Sequence, residues 1–373
     1  MSKIIVTKYN DLILLIEYKG GNPVRINCSR DYSASVGDIY VGRVNAVKKE
    51  LNAAFVDFME NYTGFLPLDQ CAFGIKQGDL VPVQVTGEPV KTKGYKLSAF
   101  PEMSGNYLVF TTKHNEIHIS SKLDKSEGDA IKEKLLNDFP KREFGIIIRT
   151  KASLEKYDEI KTEYENTGAV FLDVIKYGKS RTLYSRLYKE KKPFVKLISE
   201  KDISDIEEIV CGDDDIYQEL INVYPDKTRI FDDSRISFNA CFRIEHAIEL
   251  ATSKKVNLPC GGYLIIEPTE ALTVIDVNSG KITGKNNKNE MIDLVNKEAA
   301  TEVARQLVLR NISGMIIIDF INYDDPDKEE EFVTYFRGAL REDKCKTKIL
   351  GFTKLKFLEM TRQKINASIY DYI

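Results

Sequence analysis

Two apolar runs in this sequence end on an acid. "ALTVIDVNSGK", Ala271 to Lys281, carries Asp276 and, two positions on, the amide of Asn278; "GMIIIDF", Gly314 to Phe320, carries Asp319. In a strand, period 2 puts Leu272, Val274, Asp276 and Asn278 on one face. A carboxylate that shares a face with apolar residues is desolvated unless a charge compensates it. If the two strands are neighbours, both carboxylates lie near one sheet edge and repel, and a divalent cation resolves both difficulties. Magnesium suits such a pair, because it keeps several waters and is often held by one or two carboxylates together with substrate phosphate. There it can polarise a phosphoryl oxygen and lower the pKa of a bound water. Asn278 would orient the phosphate or the attacking water. The ordinary alternative is that one acid caps a loop and the other pairs with Lys or Arg. Spacing does not choose between them.

The elements around these acids are legible. "GGYLIIEP" and "ALTVIDVN" read as two strands joined by a tight Pro-Thr-Glu turn. A helix of about Asn289 to Arg310 follows, with Met291, Val295, Ala299, Val303 and Leu307 on one face. "MIIIDF" is then a short buried strand of the kind that follows a crossover helix. A last helix, Glu329 to Arg341, precedes one strand, "TKILGFTKLKFLEMT". The stretch "NACFRIEHAIELATSKKVNL" upstream has an apolar face at Cys241, Ile244, Ala247 and Ala251, which is helical spacing.

Nearer the start, "KIIVTKY" and "LILLIEY" are strands around a turn at Asn10-Asp11. From Ser35, five short strands broken at Gly37, Gly64, Gly78 and Gly94 suggest a small barrel. After Gly105 come the strand "NYLVFTT", a helix (Lys125 to Asn137), the strand "FGIIIRT", a charged helix (Ser153 to Asn166) and a strand "AVFLDVI".

Totals bound the function. At 373 residues the chain should divide into several units. Its 43% hydrophobic and 30% charged residues are a globular composition, and no run approaches the roughly 20 apolar residues of a membrane span. No signal peptide is read at the N-terminus. Six scattered cysteines without a C-x-x-C pair predict reduced thiols in a cytoplasmic protein. A net charge of −3 does not by itself announce a nucleic-acid binder, although basic clusters such as "KTKGYK" and "YKEKKPFVK" are present.

Taken in order, "LPCGGYLIIEPTEALTVIDVNSGK", "NKEAATEVARQLVLRNISGMIIIDFI" and "LGFTKLKFLEMTRQK" resemble the successive motifs of the ribonuclease E/G family. Upstream, "GDIYVGRVNAVKKELNAAFVDFMENYTGFLPL" is similar to that family's inserted OB-fold RNA-binding domain. The resemblance implies an α/β multi-domain chain. A split RNase H-like fold (residues 1–33 and 186–252) receives an inserted OB-fold β-barrel (34–104) and a 5′-sensor unit (105–185). A DNase I-like α/β catalytic subdomain (253–361) and a tail (362–373) follow.

By the same resemblance Asp276 and Asp319 are magnesium ligands and Asn278 belongs to the catalytic site. Phe55, Phe65 and Lys93 contact RNA. Arg149 and Thr150 bind a 5′-monophosphate, with Val109 beneath the terminal base. Physical chemistry supports these assignments, since an aromatic on a barrel face offers a base a stacking surface and arginine's fork matches phosphate. For Phe55 the competing role is barrel core, because one of Phe55 and Phe58 must point inward. An exposed strand-end arginine is the ordinary alternative for Arg149. The implied activity is magnesium-dependent endonucleolytic hydrolysis of single-stranded RNA in RNA processing or decay, leaving 5′-phosphate and 3′-hydroxyl ends.

Two departures bear on partners. Family members continue past "EMTR" to a C-P-x-C zinc-link, whereas this sequence runs only to Ile373; a zinc-linked dimer is therefore not expected, and a homo-oligomer is left open. "IDFI" is followed by Asn322 where the family has a further acid, with Asp324 and Asp325 close by. A non-catalytic RNA-binding protein of this family and a phosphodiesterase acting on DNA or a small nucleotide are the competing readings.

Overall fold

The computed structural model describes residues 1–30, 34–71, 74–89, 94–178, 180–199, 201–280, 288–343, 345–364 and 368–372. The chain forms two compact units, one from Met1–Asp31 with Pro193–Ile373, the other from Tyr32–Lys192.

The first unit begins as an antiparallel meander, β1 (Ser2–Tyr9), β2 (Leu12–Lys19) and β3 (Asn22–Arg30). Asn10 makes the first turn at φ 55°, a left-handed conformation that asparagine accepts because its short side chain bonds locally.

The second unit opens with β4 (Ile39–Lys48), β5 (Ala53–Met59), β6 (Tyr62–Pro67), β7 (Leu80–Gly87) and β8 (Lys96–Ser98). They pair in the order β4-β5-β6-β8-β7, and β7 returns to β4, closing a five-stranded barrel. Alternation sends Ala54, Val56, Phe58, Leu66, Val83, Val85 and Leu97 into its core. Gly64 is there for room, because a Cβ at that position would stand 2.5 Å from Leu97 Cδ1.

The same unit continues with β9 (Glu102–Ser104), β10 (Leu108–Thr111), β11 (Ile117–Ile119), α1 (Lys125–Asp138), β12 (Gly145–Ile148), α2 (Tyr157–Gly178) and β13 (Arg186–Tyr188). Strands β11-β12-β10-β9 form a small sheet, and β13 pairs with β4. Residues 169–175, read above as a strand, are helical and belong to α2. Ile160, Tyr164, Gly168, Phe171, Val174 and Gly178 recur at helical spacing and are all buried, so packing against Phe110 and Phe144 overrides the β-preference of the valines and isoleucine.

The first unit resumes with α3 (Pro193–Ser199), β14 (Ile206–Cys211), α4 (Asp214–Ile221), β15 (Thr228–Ile230), α5 (Phe238–Cys241) and α6 (Ile244–Thr252). Strands β14 and β15 add parallel to β1, giving the order β15-β14-β1-β2-β3. Phe194, Val195, Ile216 and Leu220 cover one face, and Ile244, Ala247 and Ala251 the other. This two-sided cover explains why β2 is buried over six consecutive residues. The expected single helix near Cys241 is two helices, because Arg243 turns left-handed at φ 50° between them.

A second sheet in this unit contains β16 (Lys255–Asn257), β17 (Tyr263–Pro268), β18 (Leu272–Asn278), β19 (Gly314–Asp319), β20 (Thr347–Phe352) and β21 (Leu358–Arg362), ordered β16-β17-β18-β19-β21-β20. Helix α7 (Lys288–Leu309) crosses from β18 to β19, which are parallel, and α8 (Pro326–Ala339) leads on to β20. Val295, Ala299, Val303 and Leu307 of α7, with Phe332 and Phe336 of α8, pack on Leu264, Ile266, Ile275, Ile316, Ile318, Leu358 and Met360. The run "TKILGFTKLKFLEMT", expected as one strand, is a hairpin. Thr353 and Phe357 bond across its turn, and Lys356 stands at φ 67°.

Two buried cations tie this unit together. Arg362 reaches Asp343 at 2.5 Å and 3.0 Å, with both side chains nearly inaccessible. Arg310 bonds Gln306, the Leu250 carbonyl and the hydroxyl of Tyr370. None of the six cysteines is in a disulfide. Among the described residues, no helix is long and apolar enough to cross a membrane.

Candidate active site

Asp276, two residues before the end of β18, and Asp319, the last residue of β19, stand directly opposite each other. The parallel pairing made by the α7 crossover puts them there, since matched residues on neighbouring strands lie about 4.8 Å apart along the hydrogen-bonding direction and project to one face. Alternation carries Val274 and Ile317 onto that same face, and both remain at least partly exposed. The opposite face is the core under α7 and α8.

Asn278 donates its amide to Asp276 Oδ2 at 2.7 Å. All three side chains are half-buried. Partial burial and the negative charge of Asp276 push the Asp319 carboxyl above the usual carboxylate range. Two half-desolvated carboxylates that repel each other, with an amide at their side, fit a hard divalent cation that keeps much of its water. Among the described residues no group of three or more His, Cys, Asp or Glu is arranged to hold a metal ion, so this pair offers a small donor set.

Neighbouring residues hold the acids in place. Gly262 lacks a side chain where a Cβ would stand 2.7 Å from the Asn278 carbonyl oxygen. Behind Asp319, the fully buried Asn296 of α7 clamps the departing chain: its amide donates to the Ile321 carbonyl at 2.8 Å, and its oxygen accepts from the Ile321 N–H at 3.1 Å. Asn296 was not singled out from sequence. The available signal was an amide next to Val295 on an otherwise apolar helix stripe, and a buried amide must find partners.

On the barrel, Phe55 of β5 and Phe65 of β6 are cross-strand partners, with ring centroids 6.0 Å apart in an edge contact. Phe58 is the inward residue and is fully buried, so Phe55 faces outward and is half-buried. Phe65 is 37% exposed. Lys93 lies outside the described residues. Lys96, exposed on β8 and paired with Phe65, is a cation beside the two rings that sequence reading missed, because only barrel closure brings β8 to β6.

In the small sheet, Val109 pairs with Ile147, and Arg149 follows two residues on, so the three share a face. Arg149 is exposed and donates from Nη1 to the Gly105 carbonyl at 2.5 Å, while its N–H bonds the Tyr107 carbonyl. Thr150 meets Ser120 at 3.2 Å, oxygen to oxygen. Glu163 of α2, which sequence reading also missed, accepts backbone N–H bonds from Asn106, Tyr107 and Leu108 at 2.6, 2.9 and 2.8 Å. One carboxylate thus fixes the turn that leads into Val109.

The sequence pattern of the Ribonuclease E/G family matches residues 102–365. The chain is 30% identical over 361 residues to ribonuclease G of Haemophilus influenzae, covering 90% of this chain and 73% of that protein. It is 31% identical over 369 residues to ribonuclease G of Escherichia coli, covering 90% and 74% respectively. Against ribonuclease E of Synechocystis it is 32% identical over 363 residues, covering 91% of this chain and 54%, about half, of that protein. With the family pattern spanning both the paired acids and the Arg149 strand, the chain belongs to the ribonuclease E/G family.

Proposed function

We propose that this protein is a magnesium-dependent endoribonuclease that hydrolyses single-stranded RNA in RNA processing or decay and leaves 5′-phosphate and 3′-hydroxyl ends. One observation carries the reading: Asp276 and Asp319 stand in register on an open sheet face, with Asn278 bonded to Asp276. The names of the relatives, ribonuclease G and ribonuclease E, support the reaction class.

Asp276 and Asp319 would hold the cation. When bound, magnesium supplies positive charge that polarises a phosphoryl oxygen and acidifies water. The remaining work falls to the chain. Asn278 fixes the rotamer of Asp276 through Oδ2, which leaves Oδ1 of the carboxylate and Oδ1 of the amide as acceptors. Asn296 holds the strand end at Asp319 so that the two carboxylates stay matched. The partly exposed apolar floor of Val274 and Ile317 lowers the local dielectric and strengthens each polar contact with phosphate.

RNA would be drawn in elsewhere by aromatic and basic side chains. Phe55 and Phe65 offer stacking surfaces, with Lys96 and Lys93 as phosphate partners. Arg149 and Thr150, with Val109 on the same strand pair, would read a 5′-monophosphate. On this reading the barrel is the OB-fold domain, residues 105–185 are the sensor unit, the β15-β14-β1-β2-β3 sheet is the RNase H-like part, and the sheet with the acids is the DNase I-like catalytic subdomain.

The test incubates protein with single-stranded, A/U-rich RNA bearing a 5′-monophosphate or a 5′-hydroxyl, in magnesium or in EDTA, beside Asp319→Asn. Magnesium-dependent internal cuts that vanish in the variant support the reading. Binding without cutting would favour a non-catalytic RNA-binding protein, and cutting DNA in preference to RNA would move the substrate class.

A further inference from the structure

The open face of the catalytic sheet extends past the acids. Lys255 pairs with Ile265, Ile265 with Asp276, and Asp276 with Asp319, one row across four neighbouring strands. The next row is Asn257, Tyr263 and Asn278. Residues directly opposite on adjacent strands project to the same side of a sheet. Lys255 and Tyr263 therefore share the face of Asp276, Asn278 and Asp319, and Tyr263 is the immediate cross-strand neighbour of Asn278.

These two side chains meet. The Lys255 ammonium lies 4.1 Å from the centroid of the Tyr263 ring. Its neighbour Lys254 is already engaged with Glu267, at 3.1 Å, whereas Lys255 rests on an aromatic face. Tyr263 is half-buried and Lys255 exposed, so a ring and a cation stand about one and two strand spacings, roughly 5 and 10 Å, from the Asp276 and Asn278 strand.

Resting on the nuclease reading above, we propose that Tyr263 and Lys255 form a nucleotide subsite flanking the acid pair. The Tyr263 ring takes an unpaired base by stacking, and the Lys255 ammonium takes the adjoining phosphate. An exposed cation–π contact is weaker than the stacking of a base on an aromatic ring, so the ammonium yields its place and turns to the phosphate. Every base has a π-face but a duplex hides it, and the subsite therefore selects single strands close to the cut.

An abasic scan tests this. A short single-stranded RNA is made as a set, each member lacking one base near a single strong cleavage position. Each is followed by fluorescence anisotropy in EDTA and by cleavage in magnesium. The expected result is one position where losing the base costs the wild type about tenfold in affinity or kcat/KM, while Tyr263→Ala is insensitive there and Tyr263→Phe keeps the wild-type profile. Lys255→Ala should reduce the salt slope of log affinity by about 0.7, the loss of one single-strand phosphate contact. Melting curves check that each variant folds. A Tyr263→Ala scan that matches the wild type, in a folded variant, overturns the proposal. If RNA is bound but never cut, the anisotropy scan still decides the subsite and only the nuclease reading falls; if RNA is not bound, both fall.

Discussion

Asp276 faces Asp319 across two parallel strands, and partial burial together with the charge of Asp276 opposes ionisation of Asp319. The arrangement costs stability when nothing cationic is present. Asp319→Asn should therefore melt no lower than the wild type while losing cleavage by roughly 100-fold or more, the scale of several kcal/mol of lost charge stabilisation. Asn278→Ala should reduce kcat by about 10- to 150-fold, since a hydrogen bond to a charged group is worth about 1.5–3 kcal/mol. Melting curves and single-turnover cleavage check both variants, and a destabilised, active Asp319→Asn would contradict the placement.

Asn296 works behind the site. Asn296→Ala strands the buried N–H and carbonyl of Ile321 and should cost about 2–3 kcal/mol in urea unfolding. It should also lower kcat with little change in KM, because the end of β19 loses its clamp. Equal stability with unchanged kcat would show that the clamp does not position Asp319.

Acid sensitivity should come from buried pairs. Burial alone would raise the Asp343 carboxyl, but the Arg362 guanidinium and the Cys345 N–H outweigh it and hold it below the usual carboxylate range. Glu17 behaves alike, burial being outweighed by Lys201 at 2.6 Å. For both, the folded chain releases the proton more readily than the unfolded chain. Their stabilisation is present above the ordinary carboxylate pKa of about 4 and is lost as pH falls through the folded values. Asp343→Asn should flatten this acid limb and cost about 3–5 kcal/mol at neutral pH by leaving Arg362 buried without a counter-charge. Urea melts between pH 3 and 7 check both slope and offset.

Glu163→Ala removes the acceptor of three N–H groups in the turn before Val109. It should reduce the preference for 5′-monophosphorylated over 5′-hydroxyl RNA. Cleavage of 5′-hydroxyl RNA should change less than about threefold, while the turn loses about 1–3 kcal/mol of local order. Glu163→Gln, which keeps an accepting oxygen, should fall between. The ratio of the two cleavage rates is the measurement.

Two phenylalanines on the barrel should separate cleanly. Phe65→Ala should weaken RNA binding by about 1–3 kcal/mol and cost only about 1 kcal/mol of stability, since the residue is 37% exposed and its ring meets Phe55 edge-on. Phe58→Ala should instead lose about 3–5 kcal/mol of stability through the cavity it leaves. Anisotropy and melting on the same samples distinguish the two.

By itself the sequence determined the elements whose pattern is both strong and local. The strands that carry Asp276 and Asp319 follow from apolar runs broken by an acid, and α7 from an apolar stripe that recurs every four residues from Met291 to Leu307. Alternation required only that Phe55 and Phe58 face opposite ways; the fold put Phe58 in the core and turned Phe55 outward. Where local preference and packing disagree, pattern reading failed. Residues 169–175 look like a strand because valine and isoleucine favour sheets, yet every buried contact in that stretch has helical spacing. The hairpin between β20 and β21 was hidden because the five residues between them, Thr353 to Phe357, include no Gly, Pro, Asn or Asp to signal a turn.

Only the tertiary structure decided which residues meet. The register that opposes Asp276 to Asp319 is a property of two strands 43 residues apart, set by the length and packing of the crossover helix. Lys96 reaches Phe65 through barrel closure, and Glu163 reaches its turn from a helix more than fifty residues on. Side-chain chemistry is written locally, but the distances that turn it into a site come from non-local pairing, and a linear pattern carries no term for that.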